Sequence, residues 1–253
     1  MNVLIRSLLL AALSLSLLST AHAQVQWAEV PPAQLKALQQ KLSQRLPTLP
    51  PIESARMMPM SGLIELKVGN TVVYSDAAGE YLIEGQMIET RTQRNLTAER
   101  VDDINRVAFD TFPFQDAIAW KNGNGKRRLV VFADPNCGYC KQLERELQKV
   151  KDITVYTLLI PILGADSRTK AENLWCVKNR TEAWLDWMLD NKAPARAFGK
   201  CNTPLQRNLA LAQRLGVNGT PAMFFEDGTR LAAAAPLATI EQRLAQASAK
   251  AGR

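Results

Sequence analysis

Two cysteines, Cys137 and Cys140, stand two residues apart in the stretch LVVFADPNCGYCKQLERELQKV, residues 129–150. Such a pair can hold a metal, crosslink a chain or exchange electrons. The run LVVFA before it is continuously apolar, as expected for a buried central strand. After it, Leu143 and Leu147 share one face of a helix expected over 140–150. Cys137 then falls at the helix start, where backbone N–H groups lack partners and the helix dipole is positive. Both favour a thiolate and depress its pKa. Cys140 lies one turn inside, within reach of Cys137 and more buried. One thiolate attacks a substrate disulfide, and the second cysteine resolves the mixed disulfide.

The competing uses fit less well. The other cysteines, Cys176 and Cys201, are 25 residues apart and offer no second knuckle spacing for zinc. The only histidine, His22, lies in a segment expected to be removed, so imidazole-dependent zinc sites and Ser-His-Asp or Cys-His catalysis are excluded. A structural crosslink across so short a loop stabilises little. No metal and no cofactor is expected beyond the redox-active Cys137–Cys140 pair itself.

A second signal is GVNGTPAMFF, residues 216–225, with Thr220-Pro221 directly before an apolar strand. Alone, this could be punctuation at a strand edge. Strand, CxxC and helix, followed about 80 residues later by Gly-Thr-Pro before a hairpin, is the order of a thioredoxin-like domain. There a cis-proline loop faces the redox pair.

The elements around these signals divide the chain. Residues 1–23 read as a secretory signal peptide, with Arg6, the apolar run from Leu8 to Leu18, and Ala21-His22-Ala23 for cleavage after Ala23. Leu35, Leu38, Leu42 and Leu46 mark a helix ended by Pro47, Pro50 and Pro51. Strands are expected at 63–68, 71–76 and 81–90, giving a small α+β unit over 24–92. Alone it has too little core and is expected to pair with its own copy. A connecting helix is expected over 96–111, capped by Thr97, within a linker region 93–125 that ends in the polar turn NGNGKRR. From residue 126 to 253 strands and helices alternate: a strand from Thr154, helices at 167–179, 181–190 and 204–215 (Pro204 at N1 behind Thr203), the strands AMFFE and TRLAAAA, and a final helix from Leu237.

The formal charge of +7 becomes +6 without Arg6, and the positive residues are scattered, so no nucleic-acid surface is expected. Four cysteines in an exported chain favour pairing, with three connectivities open.

FADPNCGYCKQL, LWCVKN and LGVNGTPAMFF together resemble the bacterial periplasmic disulfide isomerases of the DsbC type. The resemblance implies an α/β thioredoxin-like fold with a helical insertion, preceded by a small α+β N-terminal dimerisation domain and a connecting helix. It implies a V-shaped periplasmic homodimer, kept reduced by the membrane thiol reductase DsbD, that reshuffles misfolded disulfide-containing proteins. Cys137 and Cys140 would be catalytic, Gly138, Tyr139, Thr220 and Pro221 would bind substrate, and Cys176 and Cys201 would form a structural disulfide. Two rivals remain: a DsbA-like oxidase, and a DsbG-like chaperone or reductase that holds unfolded chains.

Overall fold

The computed structural model describes residues 27–196 and 201–251. The expected signal peptide lies outside the described residues. The N-terminal unit opens with α1 (Pro32–Arg45), whose Leu38 and Leu42 are buried, and continues with β1 (Ile52–Met57), β2 (Leu63–Val68), β3 (Thr71–Asp76) and β4 (Leu82–Ile83). These four strands form one antiparallel sheet in chain order. β1 is a strand that the sequence hides. Only Ile52 and Ala55 are buried in it, and a register shift between Ile52 and Ser54 breaks the alternation. The single strand expected at 81–90 is instead β4 followed, after Gly85, by β5 (Ile88–Glu89), which pairs with β6 (Arg94–Asn95).

The connecting helix α2 spans Leu96–Ile104 and stops short of residue 111. Its cap is Asn95, which accepts from the Ala98 N–H, rather than Thr97. Thr97 is buried, and its hydroxyl pairs with Tyr74 and accepts from the Met87 N–H. Past the helix, Asn105 bonds the carbonyls of Asn70 and Val101, and the Val107 N–H donates to the Gly228 carbonyl. The chain then belongs to the second unit. Gly228 sits at φ +81°, with Val107 O 2.6 Å from where a Cβ would be, so this approach requires glycine.

The second unit is a five-stranded sheet. Its strands are β7 (Ile118–Asn122), β8 (Arg127–Ala133), β9 (Ile153–Leu159), β10 (Ala222–Phe225) and β11 (Arg230–Leu231), in the order β11-β10-β8-β9-β7. β8 and β9 are parallel, joined by α3 (Gly138–Leu147); the other pairings are antiparallel. The sheet therefore takes in residues 118–122, which the sequence assigns to the linker. NGNGK reads as a linker because it is polar. It is in fact a tight turn that carries the chain past the start of β9, with both glycines at positive φ against Asp152 and Thr154. The strand expected from Thr229 to Ala235 shrinks to two residues, since a run of alanines offers little to bury.

Between β9 and β10 lie α4 (Ala165–Cys176), α5 (Arg180–Asp190) and α6 (Leu205–Arg214), the last beginning behind Pro204 as its cap; α7 (Leu237–Ala251) closes the chain. One face of the sheet buries Leu129, Val131, Ile153, Val155, Met223 and Phe225 against α3, α4, α5 and α7. The other buries Val130, Phe132, Leu158, Ala222 and Phe224 against Phe109, Phe112 and α6. This is the α/β sheet with a helical insertion that the resemblance implies.

Candidate active site

β8 ends at Ala133, and the next four residues turn into α3 with the Cys137 N–H donating to the Asp134 carbonyl at 3.1 Å. Asp134 is fully buried and its carboxylate is saturated. It accepts from the backbone N–H of Asn136 (2.7 Å), Ile162 (2.8 Å) and Leu163 (2.9 Å) and from the Ser167 hydroxyl (2.8 Å). One side chain thus ties the turn before Cys137 to the loop after β9 and to α4. Asp134 lies outside the residues that the cysteine motif picks out, and its signal in the sequence is an acid at the end of an apolar strand run.

Cys137 is the N-cap of α3. Its sulfur accepts from the Cys140 N–H at 3.4 Å and lies 3.3 Å from the Thr220 carbonyl, to which the thiol form donates. The Thr220–Pro221 peptide is cis, and it brings this loop against the cysteine pair. The Cys137 thiol is lowered from 9.0 to about 5. Hydrogen bonding with the Cys140 side chain is the main cause, with further help from Thr220 and from the N–H groups of Cys140 and Tyr139, against the opposing effect of burial. Cys140 is pushed strongly upward by its hydrogen bond to Cys137 and by burial. The pair is therefore divided into one thiolate and one thiol at neutral pH. Gly138 and Tyr139 stand on the solvent side, Tyr139 at 68% exposure, while Thr220 is half-buried and Pro221 buried.

Cys176 and Cys201 are joined in a disulfide, with Cα atoms 5.9 Å apart. It fastens the end of α4 to the segment before α6. The remaining described cysteines, Cys137 and Cys140, are unpaired, and no group of three or more metal-ligating side chains occurs among the described residues.

Beneath the pair, on the buried face of α3, lies Glu144. It accepts from Trp184 Nε1 (3.1 Å) and Gln148 Nε2 (3.2 Å), and burial raises its carboxyl from 4.5 to about 7. No local pattern announces it, since an acid in an amphipathic helix reads as solvent-facing.

Comparison with known proteins agrees with this geometry. Residues 114–248 match the thioredoxin-like domain family, and residues 28–98 match the disulfide bond isomerase protein N-terminal domain. The probable thiol:disulfide interchange protein DsbC of Bordetella parapertussis is 39% identical over 217 residues, covering 86% of this chain and 76% of the relative. The thiol:disulfide interchange protein DsbC of Escherichia coli K12 is 29% identical over 179 residues, covering 68% and 72%. A crystal structure of a disulfide interchange protein from Neisseria gonorrhoeae superposes with a TM-score of 0.51 at 36% identity, covering 54% of this chain and 98% of that one. With a two-cysteine helix start, a facing Thr-Pro loop and both domains matched, the chain belongs to the DsbC family of thiol:disulfide interchange proteins, enzymes that isomerise disulfide bonds.

Proposed function

We propose that Cys137 is the attacking thiolate and Cys140 the resolving thiol of a disulfide isomerase and reductase. The observation that carries this reading is the place of the Cys137 sulfur, capping α3 and accepting from the Cys140 N–H. The thiolate displaces one sulfur of a substrate disulfide. A mixed disulfide forms through Cys137, and the other substrate cysteine leaves as a thiolate. Either a second substrate thiolate then releases Cys137, which reshuffles the substrate, or Cys140 displaces the substrate, which reduces it and leaves the Cys137–Cys140 disulfide. The membrane reductase DsbD would return that disulfide to the dithiol. Gly138 and Tyr139, together with Thr220 and Pro221, line the place where the substrate strand must lie, with backbone groups of Thr220 positioned to pair with it. Cys176–Cys201 serves as a structural disulfide.

The same reading assigns residues 24–92 to dimerisation and residues 126–253, together with β7, to the catalytic domain, with the linker between them, in a periplasmic homodimer released by cleavage after Ala23. Exposed Tyr81 and Ile83 on and beside the short edge strand β4 support a second copy there. The cleft between two catalytic domains would hold misfolded chains in a chaperone-like way.

Replacing Cys140 with serine should accumulate mixed disulfides with scrambled ribonuclease, and replacing Cys137 with serine should abolish exchange. Trapping by the Cys137→Ser variant alone would reverse the roles. The thiolate assignment also fixes a pH profile. With Cys137 at about 5, exchange should stay flat from pH 8 to 6 and fall about tenfold per unit below 5. A rate that already drops tenfold per unit below pH 9 would mean an ordinary thiol.

A further inference from the structure

Three contacts from the helical insertion clamp the turn that presents Cys137. Asp134 is held by the loop after β9 and by Ser167. Asn136 Nδ2 donates to Asp166 at 2.7 Å. Trp187, on α5, donates its Nε1–H to the Pro135 carbonyl at 2.6 Å. The last comes from a side chain whose ring also holds a charge near the helix start. Its ring seats Lys141 Nζ 3.8 Å from the centroid, and Lys170 Nζ stands 5.0 Å away. Lys141 follows Cys140 on α3 and lies one helical turn beyond Cys137. Its ammonium is also tied to Asn191 Oδ1, at the end of α5.

We propose that Trp187 is a positioning residue for Cys137, setting the reactivity of its sulfur through the Pro135 carbonyl and through the seat it gives Lys141. This rests on the reading of Cys137 as the attacking thiol. An unbonded Pro135 carbonyl could turn its negative end toward the helix start, where it would oppose a thiolate. The bond from Trp187 holds it the other way. The Cys140 N–H meets the sulfur at 3.4 Å only while the turn before α3 keeps its place. Lys141, pinned over the indole, keeps a positive charge beside the first turn of α3, which favours the charged form of a nearby thiol. The other titratable groups around the turn and Lys141 are Lys170, Asp166, the Asp134 carboxylate, Glu144 beneath the pair and Arg145 beside Lys141; the Gly219–Pro221 loop brings none.

The test is the alkylation rate of the full-length dithiol protein with iodoacetamide across pH, alongside its equilibrium with glutathione. Trp187→Phe keeps a ring and removes the N–H, and should lower the thiolate-to-thiol ratio at fixed pH about threefold. Trp187→Ala also unseats Lys141 and should lower it about tenfold. Both should shift the glutathione equilibrium toward the disulfide. Trp175→Phe deletes a similar indole bond in the same insertion, to the Asn202 carbonyl at 3.1 Å, and should leave the titration unmoved. If Trp187→Ala fails to fold, Trp187→Phe decides alone. Trp187 variants that titrate with the wild type, or a Trp175→Phe shift of equal size, would overturn the proposal while leaving the isomerase reading intact. A wild-type chain without exchange activity would sink both.

Discussion

The catalytic sheet is covered on both faces, by α3, α4, α5 and α7 on one side and by Phe109, Phe112 and α6 on the other. The N-terminal sheet has a full cover on one face only, where α1 packs Leu38 and Leu42 over Ile64 and Leu66. Its other face, with Met58, Val72 and Tyr74, meets the short helix α2 and Met87. At its open edge Tyr81 is 74% exposed and Ile83 51%. The two units also treat a buried glutamate differently. Glu65 in β2 is met by the guanidinium groups of Arg56 and Arg100, whereas Glu144 in α3 is met by neutral N–H donors. A unit that completes its own core can host chemistry on one of its helices. A unit that leaves apolar side chains beside a two-residue edge strand is built to meet another surface.

The sharpest way to break this contrast is to charge the open edge in the full-length chain. The double variant Tyr81→Asp with Ile83→Asp should sediment as a monomer. It should reduce insulin within twofold of wild type but reshuffle scrambled ribonuclease about tenfold more slowly, because the proposed pairing of two sites on one bound chain would be lost. A variant that stays dimeric, or a monomer that isomerises at full rate, would remove the edge from the account.

What the sequence disclosed follows the same divide. β2 and β3 were legible to the residue, since apolar and β-branched side chains predominate in each between clear turns. β8, the cysteine pair and the Thr220–Pro221 loop were legible because their order along the chain is itself a signal. β1 was hidden by a bulge that shifts its phase, and the end of α2 by contacts with Asn70 and Gly228 that are remote in sequence. The residues that hold the site were the least visible. Asp134, Glu144 and Trp187 act through partners 28 to 52 positions away, and no local pattern announces such pairings.

A smaller effect is expected at Glu65. Its side chain is 1% exposed and bridges β1, β2 and α2 through Arg56 and Arg100. Glu65→Gln keeps the shape and leaves two partly buried guanidinium groups facing a neutral amide. Breaking such a buried cluster by removing one partner costs about 3 kcal/mol, the low end of the usual range because both arginines retain some solvent. Chemical denaturation of the full-length protein should show this loss in the transition of the N-terminal unit, with the insulin-reducing rate of the folded protein unchanged. Unaltered unfolding would mean that solvent alone satisfies the arginines.

The smallest effect, and the one of opposite sign, belongs to Glu144. Its carboxyl is raised from 4.5 to about 7 by burial, so the folded state binds a proton that the unfolded state has already released across that interval. Stability must then fall as pH rises from about 4.5 to about 7, and stay at the lower level above it. A displacement of that size corresponds to about 3 kcal/mol at most. Glu144→Gln removes the charge penalty but keeps one acceptor oxygen where Trp184 and Gln148 use two, Oε2 and Oε1, a loss of about 1 kcal/mol. The variant should therefore be about 2 kcal/mol more stable than wild type at pH 8 and slightly less stable at pH 4. Its stability curve should lose the downward slope between those limits. Parallel curves for the two proteins across that range would show that Glu144 is ionised in the folded state, held by Trp184, Gln148 and the nearby Trp120 indole. The contrast with the arginine-paired Glu65 would then disappear.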